Sequence, residues 1–584
     1  MPMRLRTACA IAIVTAAIAV AHPSAAADPR KVLRVASPDI DTLDPQQYND
    51  DPSFQVLRAI YEPLYEWSYL TSPVRLAPVT AAGPPEITDR GLTWTVHLQH
   101  GIRFTDDPAF GGKPRELTAE DYVYSLKRWI DPTLRRGGAT EITAVIAGAR
   151  ALVDAAEKAG GKFEYDKPLE GLRALDRYTL QLKLTAPHYP VVRNFLTQAA
   201  VAREVVEAAR GDIRTRAIGT GPYRLKEWKR GSRIVLEANP YYRRIEFPTD
   251  VPPQYTELSR AMRGKALPQI GSVEVNVIEE ELTRVLEFER GNLDYIIVRG
   301  EVAQRMLQDD KLKREYAERG VKRVVFPEAY TFYVYFNVAD PVLGGMTPER
   351  IALRRAISLG IDESSFVKVV YAGQATLANQ LVAPGTTGFN SSLPTKASYD
   401  PTAANALLNR FGYVKRDGAG FRMTPDGKPL KITFTLRSIG LSREIATLLK
   451  KNMDAIGVNF DFRITPFQDT IKELEAGRYQ MYFGGYGGYP SGYEQLSQFY
   501  AEMSTSVNFT RFKLDAYDQL MVRYLSTPDD RERVDLAKRM YEITQAYAPV
   551  QPVIFRLEND FVQPWVEGFG PMLFDNCWKY LWLK

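Results

Sequence analysis

Between Gly484 and Tyr493 the chain reads Gly-Gly-Tyr-Gly-Gly-Tyr-Pro-Ser-Gly-Tyr, residue types suited to touching a ligand rather than cleaving one. Glycines permit close backbone approach, and Tyr486, Tyr489 and Tyr493 offer flat apolar faces with polar tips. The same composition also suits an ordinary surface loop. Bond-breaking chemistry is poorly supplied. The chain has no H-E-x-x-H, no G-x-S-x-G and no G-x-x-x-x-G-K-[ST]. Gly488-Tyr-Pro-Ser-Gly492 has the wrong spacing for a nucleophile elbow. His97 and His100 form H-x-x-H, but on a strand they face opposite sides, and beyond the first residues His188 is the only other histidine. No metal or cofactor is expected. Carboxylate pairs are too numerous to exclude a glycosidase, so a hydrolase stays as the alternative class.

Several periodic segments could position such a surface. Tyr223 and Leu225, with Trp228 less regular, lead into a turn at Gly231-Ser232 and a return strand through Ile234, Val235 and Leu236. Asn239-Pro240 ends that strand pair. Leu92, Trp94, Val96 and Leu98 alternate as a half-buried strand, as do Tyr178, Leu180, Leu182 and Leu184. Thr118 is placed to cap a helix through Trp129, which Asp131-Pro132 stops. Tyr330–Asn337 is strongly β-forming. Residues 350–360 read as an amphipathic helix with Leu353 and Ile357 inward and the arginines outward. Residues 430–436, a helix ending at Gly457, and the alternating Val458, Phe460, Phe462 and Ile464 make a β-α-β unit, hence mixed α/β architecture.

Residues 1–27 read as a secretory signal peptide. Arg4 and Arg6 precede an apolar stretch from Ala8 to Val20, and Ala25-Ala26-Ala27 offers a cleavage site. The stretch falls short of the ~20 residues of a spanning helix. With the leader removed, Cys577 stands alone and is expected as a buried small hydrophobe. Charges of both signs are interspersed, unlike the basic stripes of nucleic-acid binders, so no nucleic acid is expected as a partner. The length allows roughly three or four domain-sized units.

Several segments together resemble the extracellular solute-binding proteins of family 5, the periplasmic dipeptide- and oligopeptide-binding components of ABC importers. They include Gly101-Ile-Arg-Phe-Thr-Asp106, Leu117–Arg128, Gly219–Tyr242, Leu353–Asp362, Tyr399–Leu408, Met453–Val458 and Gln563–Phe569. The resemblance implies an α/β fold of two lobes, the type II hinge-closing binding protein, with an additional accessory domain. By that analogy residues 28–65, 200–275 and 540–584 form the first lobe, 66–199 the accessory domain and 276–539 the second lobe. It also implies a monomer that carries a peptide or peptide-like solute to permease subunits of an inner-membrane ABC transporter. A receptor acting without transport on the same scaffold is the remaining alternative.

The resemblance puts ligand contacts in the Gly484–Tyr493 run, at Tyr486, Gly488, Tyr489, Ser491 and Tyr493. The family's binders commonly carry an aspartate here for the ligand's amino group. This chain has Gly488 and Ser491 near that place and no acid before Glu494. Arg437 and Arg443 flank the start of a long helix, where an arginine could clamp a carboxylate or simply be a solvated charge. Asp44, beside Leu43 in an early loop, and Tyr333 and Asn337 on the aromatic strand are further candidates, though core is the commoner fate of such a strand.

Overall fold

The alternation around Gly231 resolves as two antiparallel strands, Tyr223–Lys229 and Arg233–Ala238, with Gly231 at φ +67° in the turn. A register shift between Leu225 and Glu227 accounts for the irregular place of Trp228. The second strand pairs with Ile270–Val277, which in turn runs parallel to Asp28–Ser37, closing a four-stranded sheet. The structure is a computed structural model describing residues 27–71, 73–134, 139–298, 300–395, 398–503, 507–571, 573–574 and 577–584. The expected leader lies outside them except for Ala27.

A second four-stranded sheet, all antiparallel, holds Glu86–Thr88, Thr93–His97, Thr179–Lys183 and Leu172–Asp176. Helix Ala119–Ile130 packs beside it. Asp121 Oδ2 accepts the Thr118 backbone N–H at 2.8 Å and its hydroxyl at 2.9 Å, closing the first turn, and Asp131 caps the other end. One apolar core runs through both of these sheets.

The largest sheet has seven strands. Its path is Tyr295–Val298, Val550–Val562, Lys322–Phe336, Met481–Gly487, Lys431–Arg437 and Asn459–Thr465, with Ala375–Leu377 paired to Val550–Val562. Lys431–Arg437, helix Ser442–Ile456 and Asn459–Thr465 form the parallel β-α-β unit, and Gly457 ends the helix at φ +72°. Along the aromatic strand Val334 and Phe336 enter one core while Tyr333 and Tyr335 enter another on the opposite face. This sheet is therefore covered on both sides.

Val550–Val562 hydrogen-bonds to Tyr295–Val298 and Lys322–Phe336 within the seven-stranded sheet. One expectation needs correction: in helix Pro348–Gly360 the arginines do not all face water. Arg354 is fully buried, donating to the carbonyls of Ala548 (3.0 Å), Leu343 (2.7 Å), Gly345 (2.9 Å) and Tyr547 (2.8 Å). Backbone carbonyls at the ends of neighbouring segments solvate the guanidinium in place of water.

Candidate functional site

A cleft of about 930 Å³ opens where the sheets meet. One wall is the carboxyl end of Asp28–Ser37 together with the first turn of helix Asp51–Ile60; the other is the stretch from Phe326 to Tyr330 and the turn from Gly487 to Pro490. Of the candidates from the sequence, Gly488 and Tyr489 line it, and Tyr489 is 44% exposed. Two glycines shape this wall. A Cβ on Gly487 (φ +147°) would stand 2.1 Å from the Ala329 carbonyl oxygen. Gly488 (φ +92°) donates its N–H to the same carbonyl at 2.9 Å, and a Cβ there would stand 2.5 Å from the Tyr330 hydroxyl oxygen. A side chain at position 488 would therefore have to displace the tip of Tyr330.

The rest of the run turns into the protein behind the cleft. Tyr486 is half-buried, its hydroxyl pKa raised by burial and by the charge of Glu494. Tyr493 is buried edge-on against His188, ring centroids 5.0 Å apart. Burial pulls the imidazole of His188 down to about 4, and its Nδ1 accepts the Val191 N–H at 3.2 Å. The Ser491 hydroxyl donates to Glu494 Oε2 at 3.0 Å.

Burial, with Glu141 adding like charge, pushes the Glu494 carboxyl up to about 8. A group whose pKa rises on folding contributes stability that is complete below its ordinary 4.5 and is lost as pH climbs through about 8. Urea unfolding across that window is expected to show stability falling with pH, and Glu494→Gln is expected to flatten the slope. An unchanged slope in the variant would assign it to other groups.

The remaining candidates are not brought to the cleft. Tyr333 is wholly buried and its hydroxyl donates to the Leu381 carbonyl. Asn337 is buried, its amide donating to the carbonyls of Gly477 (3.0 Å) and Tyr479 (2.8 Å). Asp44 is buried against Arg128 at 2.5 Å, and Leu43 beside it is core. Arg437 lies over the Phe467 ring, 4.2 Å from its centroid, and Arg443 is exposed on the first turn of its helix. Packing and short-range hydrogen bonds occupy these groups.

Several cleft residues gave no signal in the sequence. Tyr330 belongs to the aromatic strand and pairs with Gly487, but it stands at the cleft end of that strand and stays exposed. Glu328, on the same stretch, is held bidentately by Arg556 at 2.9 and 2.6 Å. Tyr48, Asp50 and Trp129 reach the cleft from a loop and a helix end that the pattern marked only as loop and helix. Among the described residues, acids lining the cleft outnumber the two arginines, Arg58 and Arg284. No cluster of metal-ligating side chains occurs among the described residues.

Mixed α/β sheets meeting at a deep cleft define the class: a two-lobe periplasmic binding protein fold. The chain belongs to the bacterial extracellular solute-binding proteins, family 5, whose middle-region model matches residues 75–506. The periplasmic oligopeptide-binding protein OppA of Escherichia coli K12 is 24% identical over 577 residues, covering 94% of this chain and 92% of that protein. The unliganded open form of the murein tripeptide-binding protein MppA aligns with a TM-score of 0.72 at 21% identity, covering 95% and 98% of the two chains. DppA from Helicobacter pylori, solved in complex with the peptide STSA, aligns with a TM-score of 0.66 at 19% identity, covering 94% and 98%.

Proposed function

We propose that this protein captures a peptide or peptide-like solute in the interlobe cleft and delivers it to the permease subunits of an ABC importer in the inner membrane. The observation that carries this is the cleft, about 930 Å³ and walled by the bare backbone of Gly487 and Gly488 beside Tyr330 and Tyr489. That size suits a small peptide. Relatives whose names or structures include peptides support the same class. In this reading residues 28–65, 200–275 and 540–584 form the first lobe, 66–199 the accessory domain and 276–539 the second lobe. Ligand contacts to both lobes favour the closed form, and only contacts made on closure drive it. The protein acts as an exported, monomeric carrier with no turnover of its own. No helix among the described residues is long and apolar enough to cross a membrane.

Gly488 carries no acid and the Tyr330 hydroxyl stands against it, so in this reading the ligand's amino terminus is either modified or held elsewhere. Native mass spectrometry of the purified protein is expected to reveal a co-purified peptide or peptide derivative. In isothermal titration, N-acetylation of a bound peptide is expected to change affinity less than about tenfold, under about 1.4 kcal/mol. A strong preference for free amines would overturn this account of the amine, and peptide or glycoside turnover would overturn the carrier reading.

A further inference from the structure

Behind the cleft, helix Tyr189–Phe195 docks on helix Asp515–Ser526, and Val191 packs into the aromatic core there. Arg193 Nη1 reaches Oδ1 of the half-exposed Asp530 at 2.9 Å, and Nη1 of Arg533 reaches the same oxygen at 2.8 Å. Arg533 is almost wholly buried. Its Nη2 donates to the Thr527 carbonyl at 2.5 Å, while its buried Nε has no hydrogen-bond partner. Two arginines thus share one carboxylate across the seam. His188, also buried, caps the helix: its Nδ1 accepts the Val191 N–H at 3.2 Å and therefore bears no proton, and its ring stands edge-on to Tyr493. The seam adjoins the cleft on both sides. Asn194, Thr197 and Gln198 line it from the helix, and Tyr489 and Pro490, just before Tyr493, line it from the facing wall.

We infer that this seam is an acid-sensitive clasp on the cleft: it holds helix Tyr189–Phe195 to the second lobe while His188 is neutral and lets go when His188 takes a proton. The inference rests on the division proposed above, which puts the helix in the accessory domain, and on no particular ligand. A proton on Nδ1 turns the acceptor of the Val191 N–H into a donor, so the cap is lost. It also puts a third cation into a seam that holds two arginines and one carboxylate. Burial, with the Arg533 charge behind it, keeps the docked imidazole at about 4. A released helix exposes His188 and returns it to the ordinary 6.5, so docking is complete above that pH and weakens as pH falls toward 4. The other titratable groups facing the seam among the described residues are Tyr493, Glu494 and Tyr524 of the second lobe and Glu141 of helix Ala139–Val145. Burial raises both carboxyls. Glu494 is enclosed by Ser491, Tyr486 and Tyr489 of its own lobe, so release of the helix leaves its titration in place.

Hydrogen exchange of the mature protein, corrected for the intrinsic rate at each pH, measures release at residues 189–198 and 488–497. From about pH 7 to about pH 5 the opening of both segments is expected to rise about ten- to thirtyfold, with helix Ser442–Ile456 unchanged as the reference. His188→Asn keeps an oxygen to accept the Val191 N–H but cannot titrate, and is expected to hold both segments at either pH. Glu494→Gln is expected to keep the wild-type rise. No rise in the wild type, or an equal rise in His188→Asn, would overturn the clasp. Loss of the rise in Glu494→Gln would assign it to that carboxyl and overturn the clasp as well. Magnetic resonance of the histidines needs no variant: His188 is expected to titrate below about pH 5 with its neutral-form proton on Nε2. A midpoint at the ordinary 6.5, or a proton on Nδ1, would overturn the clasp. No ligand enters these measurements, so failure of the peptide-carrier reading would show separately, in titration with peptides.

Discussion

Replacing Arg128 with methionine is expected to destabilise the protein by about 3–5 kcal/mol, the usual cost of taking one partner from a buried ion pair. Both side chains are almost wholly hidden, and Nη2 of Arg128 meets Oδ2 of Asp44 at 2.5 Å. The pair is built into a larger arrangement. Gln46 donates its backbone N–H to Asp44 Oδ1 at 2.9 Å, and Arg128 Nε donates to Gln46 Oε1 at 3.2 Å. Burial works against the Arg128 charge, yet the attraction of Asp44 prevails and leaves its pKa raised. The pair joins the loop after strand Asp28–Ser37 to the last turn of helix Ala119–Ile130, so its loss loosens the joint between the first and second sheets. Urea unfolding gives the measurement. The double variant Asp44→Asn, Arg128→Met removes both charges and is expected to recover much of the loss, because the isolated carboxylate is the costly species. A single variant within about 1 kcal/mol of wild type would mean that water or other groups replace the guanidinium.

The same pair marks the boundary of what the sequence can tell. Local periodicity was enough for the strand pair around Gly231, for the capped helix after Thr118 and for the β-α-β unit ending at Ile464, because each depends on neighbours within a few residues. Asp44 reads equally well as a ligand contact until its partner, distant in the chain, is known. Arg354 shows the same failure. An arginine on an amphipathic helix is ordinarily solvated, and only the carbonyls at Leu343, Gly345, Tyr547 and Ala548 make its burial tolerable. The cleft was legible where backbone chemistry defines it, at Gly488 and Tyr489. It was hidden at Tyr330, which alternation puts on the same face as the core residues Val334 and Phe336, because only the tertiary position of that strand end leaves the ring exposed at the cleft. The C-terminal strand Val550–Val562 lay beyond reach for a related reason, as its place in the sheet depends on partners from several parts of the chain.

Introducing the missing acid should convert the amine preference of the site, provided that room is made for it. Gly488→Asp alone is expected to weaken binding of peptides that the wild-type protein holds. At φ +92° an aspartate carries backbone strain of about 1–3 kcal/mol, and its Cβ falls 2.5 Å from the Tyr330 hydroxyl oxygen. The ring must then swing away from the cleft wall that it helps to form. Tyr330→Ala, added to Gly488→Asp, removes the obstruction and leaves a carboxylate facing the cleft. A hydrogen bond between that carboxylate and a ligand ammonium is worth about 1.5–3 kcal/mol, so the double variant should prefer a free amino terminus over its acetylated form by about ten- to a hundredfold. The wild type and Tyr330→Ala alone should show no such preference, which separates the effect of the acid from that of the emptied space. Titration of paired free and acetylated peptides against all four proteins measures it. Equal affinities for the pair in the double variant would show that the ligand's amino end does not lie near Gly488, and the amine would have to be sought at another wall of the cleft.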